Sequence, residues 1–174
     1  MFLKFIKGVG LKKNIKKCLA QYEPAGMPAK VVTVGLLMDE AWFTDRKRVV
    51  NEITGYGIKE ENISLLVCKK KVSAKEAAQL DYPVYTRKDI STGGKLKKEE
   101  IKTFVQTPFD MLISYYDTEK PLLMLATLES QAKFKVGFAN VDKRLNDFTI
   151  AEGAERYKEY IAELFRYLKI LNII

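Results

Sequence analysis

No histidine occurs in this 174-residue sequence. Histidine has the side-chain pKa nearest neutrality and is the group most used for general acid–base work. Its absence excludes Ser-His-Asp and Cys-His machinery, and every His-containing zinc site with them. Cysteine is almost as scarce: Cys18 and Cys68 stand alone, with no C-x-x-C pair. Two thiols cannot complete an all-Cys zinc site, so no metal and no cofactor are expected. They read as free thiols of a cytosolic chain rather than a disulfide. Any catalysis is left to carboxylates, lysines or tyrosines.

Long hydrophobic runs are missing too. No apolar stretch approaches the ~18 residues of a membrane span. Lysines break up the N-terminal apolar residues before the core of a signal peptide can form. The expectation is a soluble, cytoplasmic chain. Glycine is absent where a dinucleotide site needs it. After the first strand-like run comes Met38-Asp39-Glu40-Ala41-Trp42, where G-x-G-x-x-G would let a pyrophosphate reach backbone amides. Gly93-Gly94-Lys95 lacks the spacing of a P-loop.

What the sequence does contain is a separated charge. Apolar residues make up 47% and charged residues 30%, with a net charge of +8, the balance of one globular domain. Lys4, Lys7, Lys12, Lys13, Lys16 and Lys17 lie within residues 1–22, which hold no acid and no arginine. Setting those six aside leaves +2 for the other 152 residues. Phe2, Ile6 and Val9 form one short apolar face at helical spacing; Leu11, Ile15, Cys18, Leu19 and Tyr22 form another. Gly8 and Gly10 are expected to weaken or kink this helix. Residues 23–28, rich in proline and glycine, end it.

Strand and helix patterns then alternate. Residues 31–37 form a continuous β-branched run, as a strand buried on both faces does. Thr44 or Asp45 can cap a helix with Val49, Val50 and Ile53 on its apolar face. Residues 63–67, 109–115 and 134–138 read as further strands, with a short edge strand at Val84-Tyr85. Helices are expected over 73–80, 97–105, from Thr118 with Pro121 in the first turn, and from Ala154 to Leu171. The apolar chain end, Leu171 to Ile174, is expected to be tucked in or held by a partner. The fold class is α/β: a single Rossmann-like, doubly wound, mainly parallel sheet with helices on both faces and an extra N-terminal amphipathic helix. Residues 1–28 form that helix and its linker, and residues 29–174 form the domain.

Two places carry candidate chemistry. Ligands of doubly wound sheets sit beyond the carboxyl ends of the strands, which gathers Asp39, Glu40, Tyr115 and Asp117 around a candidate crevice. These acids can bind a cation, act as acid and base, or simply cap helices. The second place is the lysine segment. Its lysines suit nucleic-acid phosphates, an anionic membrane surface, or plain solvation on a docked helix. Basic clusters at residues 46–48, 69–71 and 95–98 can extend such a surface, with acids interspersed nearby.

The strings Pro108-Phe109-Asp110-Met111-Leu112-Ile113, Ala132-Lys133-Phe134-Lys135-Val136-Gly137-Phe138 and Leu168-Lys169-Ile170-Leu171 carry two resemblances. Over most of its length the chain resembles a family of uncharacterised small bacterial α/β proteins with a basic N-terminal helix. Residues 108–138 also look like part of the N-terminal Rossmann-like half of heptosyltransferase-type glycosyltransferases. That second likeness implies the sheet; the nucleotide-sugar domain of those enzymes has no counterpart here.

The expected function is a non-catalytic binding protein that contacts RNA, on the ribosome or elsewhere, or another acidic surface through the N-terminal lysines. The alternatives are a small-ligand or enzymatic use of the strand-end crevice, and peripheral membrane attachment.

Overall fold

The computed structural model describes residues 2–174, with side chains described outside residues 2–7, 43 and 44. The N-terminal helix α1 spans Phe2–Gln21. Strands follow at Val34–Asp39 (β1), Ile63–Cys68 (β2), Val84–Tyr85 (β3), Met111–Tyr115 (β4), Phe134–Phe138 (β5) and Phe148–Ile150 (β6). Helices lie between and after them at Arg46–Gly55 (α2), Ala74–Ala78 (α3), Glu99–Gln106 (α4), Pro121–Glu129 (α5) and Tyr157–Ile170 (α6).

All six strands are parallel, in the order β3-β2-β1-β4-β5-β6. The chain starts at the centre, winds to one edge, returns to β4 and winds to the other edge. The order therefore reverses between β1 and β4, and this is where a doubly wound sheet opens a crevice. The two edge strands have only two and three residues, which limits the backbone they offer for stray pairing.

Alternation along each strand splits the core in two. Leu37, Leu66 and Leu112 face one layer, made with α1, α4 and α5. Val34, Leu36, Met38, Met111, Ile113 and Val136 face the other, under α2 and α6. Each central strand is buried on both sides, which is why it reads as an unbroken apolar run.

The strand expected from Val31 begins only at Val34. The Asp110 carboxylate accepts hydrogen bonds from Val32 N, Thr33 N and Thr33 Oγ1, serving donors that a strand ladder would otherwise use. Burial alone would raise the Asp110 pKa, but the Lys133 ammonium and these donors hold it down at about 2. Helices α4 and α6 begin at Glu99 and Tyr157 rather than at residue 97 and Ala154. Helix α5 begins at Pro121 rather than Thr118, and β6 has no counterpart in the sequence reading. The apolar chain end is tucked in: Ile173 is buried and its carbonyl accepts from Val31 N.

Helix α1 runs through Gly8 and Gly10 as one α-helix, so neither glycine ends it. They serve packing instead. A Cβ on Gly10 would lie 2.0 Å from the Thr92 carbonyl oxygen. Across the contact Gly94, at φ +77°, brings its own backbone against Gly10 and Leu11. Leu11 and Ile15 are buried in the α4/α5 layer, and Cys18, Leu19 and Tyr22 pack partly buried beside them. Asn14 Nδ2 donates to Gly94 O at 3.0 Å. At the far end the Tyr22 hydroxyl donates to Asp147 at 2.8 Å, while the Lys135 ammonium sits 4.6 Å from the Tyr22 ring centre. Of the two apolar faces in the sequence, the one from Leu11 to Tyr22 docks. Val9, on the other, is exposed, and the side chains of Phe2 and Ile6 lie outside the described residues.

Candidate functional site

Docking one face of α1 fixes where the opposite face points. Lys12, Lys13, Lys16 and Lys17 are all exposed. They fall at i, i+1, i+4 and i+5, which on a helix is a single stripe. Among the described residues none of the four joins an ion pair. Lys12 with Lys16 and Lys13 with Lys17 are like charges one turn apart, which cost an isolated helix about 0.2–0.5 kcal/mol per pair. The docked apolar face offsets that cost. The side chains of Lys4 and Lys7 lie outside the described residues.

Each of the other basic clusters has at least one member in an ion pair. Arg46 pairs with Asp81 at 3.6 Å, Arg48 with Asp45 at 3.3 Å, Lys69 with Glu76 at 3.0 Å and Lys98 with Glu100 at 2.6 Å. The Asp45 side chain, at the N-cap position of α2, therefore faces Arg48 and makes no capping hydrogen bond, and the Thr44 side chain lies outside the described residues.

The crevice at the switch point collects only part of the set expected there. Asp39, the last residue of β1, is 3% exposed and forms an ion pair with Lys120 at the start of α5. Its other oxygen accepts from Ala41 N. Glu40 turns toward the loop after β2 and accepts from Lys70 N at 2.9 Å. Tyr115 goes elsewhere. Alternation on β4 sends it into the α2/α6 layer, where its hydroxyl donates to Ala154 O at 2.6 Å and its ring packs edge-on against Phe138 and Tyr160. Asp117 accepts from Trp42 Nε1 and from the Thr118 hydroxyl, bracing the two loops that flank the crevice.

The members that sequence reasoning missed are Lys120, Arg87 and Cys68. Lys120 reads as part of the first turn of the helix expected from Thr118, and Arg87 opens a short 3-10 turn after a two-residue strand. The Cys68 thiol is pushed up to about 12 by burial and by the neighbouring Asp39 carboxylate. It stays protonated at neutral pH and is no thiolate nucleophile. Among the described residues no group of histidine, cysteine, aspartate and glutamate is arranged to hold a metal ion. No described helix is long and apolar enough to cross a membrane.

The sheet order and layers define a Rossmann-like α/β protein with an N-terminal helix built into one layer. The chain belongs to DUF6913, a family of unknown function, which it matches over residues 7–171. Neither the curated proteins nor the solved structures contain a match. The likeness of residues 108–138 to heptosyltransferase-type enzymes gains no support from these comparisons.

Proposed function

We propose that the protein is a non-catalytic RNA-binding module that sets the lysine stripe of α1 against the phosphate backbone, with ribosomal RNA as the polyanion to test first. The observation that carries this reading is the exposure of Lys12, Lys13, Lys16 and Lys17 without acidic partners, on a helix anchored by Leu11 and Ile15. Several ammonium groups held in one stripe can neutralise neighbouring phosphates and release their counterions on contact. Lysine supplies charge without the fork geometry of arginine, so the contact reads backbone rather than base sequence. An anionic membrane fits less well. Lipid insertion of the face next to the stripe needs that face to be free, and its Leu11 and Ile15 are already buried in the domain.

The test is sucrose-gradient sedimentation of native lysate at low and high salt. It compares the wild-type chain with a variant carrying Lys→Gln at positions 12, 13, 16 and 17. Wild-type protein should migrate with ribosomes at low salt and return to the top at high salt, and the variant should stay at the top throughout. Identical migration of the two would refute the reading.

A further inference from the structure

The lysine stripe leaves the switch-point crevice without a role. A cavity of 440 Å³ opens there, at the carboxyl ends of β1 and β2 and the start of α5. Leu11 of α1 forms part of its wall, with Cys68, Pro121 and Leu122. Its charged lining is Asp39, Glu40, Lys69, Lys70, Arg87 and Lys120. Four cations and two acids line it, with Lys120 paired to Asp39 and Lys69 paired to Glu76. None of the exposed lysines of α1 takes part.

We propose that this cavity binds a small phosphorylated sugar, its phosphate held by Lys70 and Arg87 and its hydroxyls by Asp39 and Glu40. The cations offered to the phosphate come from the segments after β2 and β3. Each follows the carboxyl end of its strand, where ligands of such sheets sit. The acids enter from β1. A carboxylate accepts hydroxyl hydrogens well and a cationic side chain holds phosphate, so a lining that carries both suits a ligand with both groups. Asp39 is held in place by Lys120, which leaves the orientation of its carboxylate fixed before any ligand arrives. Size argues the same way: ligand pockets run from about 300 to 1,000 Å³, and this one lies at the monosaccharide end. A dinucleotide is excluded by the loop after β1. Residues Glu40–Asp45 form a 3-10 helix carrying Trp42, with no glycine cradle for a pyrophosphate.

The experiment is calorimetric titration of the full chain with ribose 5-phosphate and glucose 6-phosphate, with free ribose, free glucose and inorganic phosphate as separate arms. At least one sugar phosphate should bind with a Kd about tenfold or more below those of its two fragments. Lys70→Gln, at an exposed position, should weaken it about tenfold, as loss of one charge-assisted contact does. Arg87→Gln should do the same. Glu40→Gln should weaken the sugar phosphate and leave inorganic phosphate unchanged. Absence of binding by both sugar phosphates would overturn the proposal. So would equal binding of inorganic phosphate, or indifference to both Lys70→Gln and Arg87→Gln. Because α1 keeps its lysines in these variants, their sedimentation with ribosomes reports the RNA reading separately.

Discussion

Around the sheet, each basic cluster has at least one member paired with an acid: Arg46 with Asp81 and Arg48 with Asp45, Lys69 with Glu76, Lys98 with Glu100. Along the outer face of α1, Lys12, Lys13, Lys16 and Lys17 follow one another with no described acid paired to them. The acid that does reach α1 is Glu129, and it meets Asn14 on the docked side. Surface ion pairs contribute little to stability, so the pairing around the sheet matters chiefly because it cancels local field. The stripe on α1 keeps its field. A net charge of +8 therefore describes one helix more than one molecule, and that helix is held by the domain rather than trailing from it.

Detaching α1 should have the largest effect. Leu11→Ala removes a side chain that is 2% exposed, and such truncations cost about 2–5 kcal/mol. Chemical denaturation should show that loss. Amides of α1 should then exchange hydrogen at the rate of a free helix, whereas a drop of less than ~0.5 kcal/mol would mean that the helix is only resting on the domain.

A smaller effect is expected under Tyr22. Burial lowers the Lys135 pKa from its ordinary 10.5 to about 8. The unfolded chain therefore binds more protons than the folded one between those values. The penalty for burying the amine is present below pH ~8 and is relieved as pH rises toward ~10.5. Lys135→Met should raise stability at pH 7 by about 1 kcal/mol and remove this rise with pH. An unchanged or lower melting temperature would show that the Tyr22 ring compensates the buried charge fully.

The smallest effect sharpens the contrast best. Lys12→Glu places an acid one turn before Lys16, which stabilises a helix by about 0.2–0.5 kcal/mol. The same change should weaken RNA binding. A helix kept for structure alone would gain in stability with no loss in binding.

Much of this was legible in the sequence, and the exceptions have physical causes. Phe134–Phe138 reads as a strand from its residues alone, because both faces of it are buried. Val31 to Thr33 reads the same way, yet a carboxylate from Asp110, 77 positions away from Thr33, takes its donors. Phe148–Ile150 is too short to show a period. Gly8 and Gly10 look like helix breakers until Thr92 and Gly94 are placed against the helix, and no local pattern encodes that approach. In the crevice, Asp39 and Glu40 followed from the rule about strand ends. Tyr115 was placed there by proximity to the strand end, but alternation sends it into the opposite layer. Lys120 and Arg87 come from distant segments, and only the fold brings them to Asp39.

The most direct test of the lysine stripe is the salt dependence of RNA binding, followed by fluorescence anisotropy with a labelled ribosomal RNA fragment. The wild-type chain should lose affinity steeply as salt rises. Lys→Gln at positions 12, 13, 16 and 17 should flatten the slope of log K against log salt by about 3, the release expected for four phosphate contacts to a single strand. Equal slopes for wild type and variant would contradict the account and leave those lysines as a solvated face.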